Sequence, residues 1–104
     1  MSDKRAVPAH YRVIEANHPG VAELHHQLAE AARNDGPLDT KTAHLIQLAG
    51  AVGVRSEGAV HSHARRALQA GASEEEIRHT VILLTTTLGF PAVAAAMDWL
   101  NDMI

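Results

Sequence analysis

Four breaks cut this chain into pieces of helical length: HPG at 18–20, NDGP at 34–37, GAS at 71–73 and GFP at 89–91. Between them the apolar residues recur at three- and four-residue intervals, and no piece alternates as a half-buried strand does. Val21, Leu24, Leu28 and Ala32 follow this spacing up to the stop at Asn34 to Pro37. A second pattern starts at Leu38-Asp39-Thr40, with Asp39 or Thr40 as N-cap, and carries Leu45, Leu48, Ala49 and Val52. A third runs from about Ser56 to Ala70, and Gly71 stands where a left-handed helix end needs a residue without Cβ. Ser73 and Glu76 then spell a capping box, so VILLTTTL is read as the continuation of a helix despite its β-branched residues. That helix is expected to carry Ile77, Val81, Leu84 and Leu88, and Pro91 to about Met103 forms the last one. The fold class is all-α, a bundle of five or six helices.

At 104 residues the chain is one domain, with residues 1–37 an N-terminal helical segment and 38–104 the core. A domain of this size buries only about 60–70% of the surface its unfolded chain exposes, so association would add stability. The alanine-rich stretches suit close helix–helix approach, and AVAAAMDWLNDMI is apolar over much of its circumference. The apolar last helix predicts self-association. A net charge of −3 with no basic run argues against nucleic acid or an anionic membrane as partner. With no apolar run of about 20 residues and no apolar signal segment behind MSDKRAVPAHYRV, a cytoplasmic location is expected. The chain has no Cys, which removes thiolate chemistry, disulfides and the thiolate zinc sites.

What remains for chemistry is histidine, of which there are 8. On the helix from Ser56, His63 falls inside the apolar arc of Ala59, Val60, Ala64, Ala67 and Leu68, while His61 falls at its edge. The two lie about 200° apart around the helix, too far to grip one metal from that helix. His61 is therefore read as a surface or interface residue. Arg65 and Arg66 lie outside the arc. An inward imidazole needs partners for both ring nitrogens, so His63 is either a satisfied core residue or a general acid/base facing a small pocket. His44 sits at the edge of the preceding helix's apolar arc, beside Leu48, and can also face inward. Glu57, in a first helical turn, favours the helix dipole and could orient an imidazole. His25 and His26 point in different directions, so at most one is inward, and His10, His18 and His79 have no constellation around them.

The stretch from Leu38 onward resembles the carboxymuconolactone decarboxylase family, which includes the alkylhydroperoxidase D-like proteins. LDTKTAHLIQLAGAVG is similar to the family's opening helix, and SHARRALQAGASEEEIRHTVILLTTTLGFPAVAAAMDWL to its signature. The resemblance implies an all-α fold and a homotrimer or homohexamer, with 38–104 as the family core. Peroxidase-type members carry Cys-x-x-Cys-x-x-x-His, with a Glu on the helix before. Here the motif His is His63, the cysteines fall on Ser56 and Ala59, and the Glu falls on His44. A hydroxyl cannot become a sulfenic acid or close a disulfide, so the thiol route to peroxide reduction is closed.

The decarboxylase branch implies a different chemistry: decarboxylation and proton transfer on a carboxylated lactone, without metal or other cofactor. It needs an anion-binding group and a placed proton donor. His63 and His44 are the candidates for donor and partner, with Glu57 or Ser56 tuning them. Lys41, Arg55 and Arg78 are the candidate cations, each equally readable as a solvated surface charge. Three readings stay open: a proton-transfer enzyme acting on a small organic acid or lactone through His63, an inactive binding or assembly module, and a metal site built from His44, His63 and a neighbouring subunit's histidine.

Overall fold

Local hydrogen bonds set the helix ends, and the computed structural model, which describes residues 9–104, shows where each falls. Seven helical segments follow one another: α1 (Ala9–Asn17), α2 (Pro19–Asn34), α3 (Thr40–Gly53), α4 (Glu57–Gln69), α5 (Glu74–Ile82), α6 (Thr85–Leu88) and α7 (Phe90–Asn101). No strand occurs among the described residues. Pro19 opens α2, where a missing N–H costs nothing. Asp39 Oδ1 accepts from the Thr42 amide at 2.7 Å and caps α3. The box before α5 is complete: the Glu76 amide donates to Ser73 Oγ, and the Ser73 amide donates to Glu76 Oε1.

Two helix ends close with the same pair of backbone bonds but with different residues at the left-handed position. After α4, the Gly71 amide donates to Leu68 O and the Ala72 amide to Ala67 O, with Gly71 at φ +100°. After α3, the Arg55 amide donates to Val52 O and the Ser56 amide to Ala51 O, with Arg55 at φ +57°. A side chain there crowds its own backbone, at a cost of about 1–2 kcal/mol. Ser56 serves two helices, since its amide closes α3 and its Oγ accepts from the Ala59 amide to open α4.

The helix expected to run unbroken from the capping box to Leu88 is divided. The Leu84 amide reaches back three residues to Val81 O, which tightens the chain, and Thr85 Oγ1 donates to Ile82 O at 2.7 Å. Threonine hydroxyls compete with helical amides for carbonyls, and three consecutive threonines follow this point. The expected helix is therefore α5 followed by the single turn α6.

The core lies between α3, α4, α5 and α7. Leu48, Val60, Ile77 and Val81 are fully buried there, with Val52, Val93 and Leu100 nearly so. α3 and α4 form a helical hairpin and the most extensive contact among the described residues, and α7 crosses both of them and α5. Ala64, Ala67 and Ala96 are also fully buried, small enough to let these helices close on one another. The apolar circumference of α7 is thus used mostly within the chain, with Phe90 left exposed. Large apolar side chains also face outward on α2, at Val21, Leu24 and Leu28, and beside the core helices at Ile46, Val54, Ile82 and Leu83. No helix among the described residues is long and apolar enough to cross a membrane.

Candidate functional site

α3 and α4 bring two imidazoles together. His44 is buried, at 4% exposure, His63 is half-buried, and their Nδ1 atoms lie 3.4 Å apart, with the rings inclined by 33°. Burial, followed by the charges of Arg33, Arg66 and Arg65, pushes the His44 pKa down to about 4. Burial, then His44, Arg66 and Arg33, does the same for His63. Both rings are therefore neutral at pH 7. One Nδ1 carries a proton and donates, while the other accepts. His63 Nε2 has no protein partner among the described residues.

His63 opens onto a cavity of about 300 Å³ between the first two helices and the α3–α4 hairpin. Tyr11 of α1, His25 and Arg33 of α2, Gln47 of α3, and Arg65 and Arg66 of α4 share its wall. Three guanidiniums thus stand around one imidazole. Burial lowers the Arg66 pKa, as do the charges of Arg65 and Arg33. Among the described residues none of the three forms an ion pair with a carboxylate. Arg33 Nη1, Arg65 Nε and Gln47 Oε1 are buried without a hydrogen-bond partner.

The other sequence candidates fall elsewhere. Ser56 Oγ is engaged as the α4 cap, and Glu57 is exposed one residue further on, with no hydrogen bond to either imidazole. Lys41 donates to Glu76 Oε2 at 3.0 Å, Arg78 to the Ile104 carbonyl, and Arg55 is exposed at the end of α3. None of these three cations reaches the cavity. Those that do are Arg33 of α2 and Arg65 and Arg66 of α4, the last two lying off the apolar arc. A second stripe carries the missed signal: Ala59, Ser62, His63 and Arg66 recur at helical intervals on α4, as do His25, Ala29 and Arg33 on α2.

His61 is corrected as well. It is buried, at 7% exposure, and its Nε2–H donates to the Trp99 carbonyl at 2.9 Å, joining α4 to α7. α4 is packed on two sides, so its buried arc is wider than its apolar residues alone suggest. Of the adjacent pair on α2, His25 faces the cavity, and exposed His26 lies 3.8 Å from Glu30. His18 and His79 are exposed, and the side chain of His10 lies outside those described. Among the described residues no group of three His, Cys, Asp or Glu side chains could hold a metal.

Comparison with curated proteins gives no match. The sequence model of the carboxymuconolactone decarboxylase family matches residues 19–102, which takes in α2 to α7 and every cavity residue except Tyr11. On that match, and with the all-α fold the family has, the chain belongs to the carboxymuconolactone decarboxylase family.

Proposed function

We propose that this protein is a cofactor-free proton-transfer enzyme acting on a small organic acid or lactone, with decarboxylation as its reaction. The observation that carries the reading is the 3.4 Å contact between His44 and His63, with His63 on the wall of the cavity. In such a reaction the bond to the carboxylate carbon breaks and CO₂ leaves. Its electron pair passes into the conjugated lactone, and a proton is delivered to carbon. His63 is the catalytic residue that carries this proton through Nε2. His44 is a positioning residue: through Nδ1 it fixes the tautomer of His63 and shares the charge when His63 becomes an imidazolium. Ser56 and Glu57 act at a distance, by fixing the start of the helix that presents His63. A bound carboxylate offsets the guanidinium charges and raises the His63 pKa, so proton uptake accompanies binding.

The exposed stripe on α2 favours self-association, as a homotrimer or homohexamer, alongside catalysis. The composition suits a cytoplasmic setting.

The test is turnover of a panel of carboxylated lactones in D₂O, followed by NMR for CO₂ loss and deuterium at carbon. The wild type should place one deuteron per turnover. His63→Ala should lose turnover with its thermal midpoint little changed. Equal turnover by His63→Ala would sink the reading.

A further inference from the structure

We propose that Arg33, Arg65 and Arg66 form an anion-holding subsite beside His63 that selects an organic carboxylate over its neutral counterpart. The proposal deepens the proton-transfer reading and rests on it for the identity of the reacting end. Arg33 comes from α2 and the other two from α4, so the cluster exists only where those helices meet across the cavity.

A guanidinium is always charged, and three of them repel one another. Surface arginines in that position normally turn to solvent or take a carboxylate partner. Here Arg33 Nη1 and Arg65 Nε are buried with neither, a state that is expensive to leave unmade. Unpaired N–H groups on planar, forked side chains match the two oxygens of a carboxylate. Gln47, whose Oε1 is also unpaired, adds a polar group to the same wall. The same charges disfavour a metal cation at the histidine pair.

Size decides between an organic anion and an inorganic one. A cavity of about 300 Å³ is far larger than a phosphate ion and falls in the range of small-molecule sites. The carboxylate would sit on the arginines, with the rest of the ligand lying toward His63.

The experiment is calorimetric titration of the full chain at pH 7 and low salt with succinate, inorganic phosphate and neutral succinamide. Succinate should bind, succinamide should not, and succinate affinity should fall as salt rises. Arg33→Gln and Arg65→Gln, on different helices, should each weaken succinate about tenfold or more. Lys41→Gln, whose ion pair lies outside the cavity, should leave it unchanged. Equal binding of succinate and succinamide, no succinate binding, or wild-type affinity in a folded Arg33→Gln or Arg65→Gln variant would overturn the proposal. Phosphate binding tighter than succinate would overturn the organic assignment. His63→Gln separates the two levels. Arginine-dependent succinate binding that persists in this variant supports the subsite even where no lactone is turned over. Turnover that is indifferent to Arg33 and Arg65 removes the subsite and leaves the proton chemistry standing.

Discussion

α2 and α4 are comparable in length and opposite in how they are held. Of the sixteen residues of α2 only Ala22 is buried, whereas the thirteen of α4 bury Val60, His61, Ala64 and Ala67. α2 packs chiefly on α1, and its apolar residues Val21, Leu24 and Leu28 remain 63–69% exposed. α4 is enclosed by α3 and α7 and fixed to the latter by His61. The fully buried apolar residues thus lie in α3, α4, α5 and α7, while α2 buries Ala22 alone. The cavity lies on the seam between α2 and the α3–α4 hairpin, so its two walls differ in how extensively they are packed.

The sharpest way to break this contrast is to remove one leucine from each side. Leu48→Ala, at a fully buried position of α3, should lose about 2–5 kcal/mol in urea unfolding. Leu24→Ala, 68% exposed, should change monomer stability by no more than about 0.5 kcal/mol. If α2 is the self-association surface, Leu24→Glu should lower the sedimenting mass while the helical signal of the core is kept. Comparable losses from Leu48→Ala and Leu24→Ala in the monomer would erase the distinction between the two regions.

A second effect comes from the seam. The folded pKa values of His44 and His63, about 4, lie below the ordinary value of 6.5. The unfolded chain therefore binds more protons between those limits. The contribution of the pair is fully present above pH 6.5 and is lost as pH falls toward 4 and below. Urea midpoints should be flat in this respect above pH 7 and decline through pH 6 and 5. The groups facing the pair are Arg33 from α2 and Arg65 and Arg66 from α4, so Arg33→Gln should narrow the window. A midpoint independent of pH from 7 to 4 would mean that the imidazoles are not held neutral.

The smallest effect compares two helix ends inside the core. Arg55 occupies at the end of α3 the conformation that Gly71 occupies at the end of α4. Arg55→Gly should stabilise by about 0.5–1 kcal/mol in the same unfolding assay, because the removed side-chain strain exceeds the added chain entropy. A destabilised variant would show that the Arg55 side chain gives more than its backbone costs.

The helix ends were legible because their signals are local. Asp39, Ser73, Glu76 and Gly71 act on amides and carbonyls within a few residues, so the chain alone says what they bond. The break at Leu84 was not, because a β-branched run can end a helix or continue one according to how its threonines bond. His63 was placed on the inner side of α4 by its spacing. His61 was misplaced, because a single apolar stripe cannot report that a helix is covered from two directions.

By itself the sequence determined an all-α chain with its main helix boundaries and with no thiol to react. It also placed His63 on the side of its helix that meets other elements. Tertiary structure alone decided that His44 and His63 meet at Nδ1, and that Arg33 joins Arg65 and Arg66 while Lys41, Arg55 and Arg78 do not. It also left α2 with apolar surface still exposed. The reason is range: a cap or a helical stripe is settled over a few residues, whereas a shared proton or a converging charge depends on how separately formed helices cross.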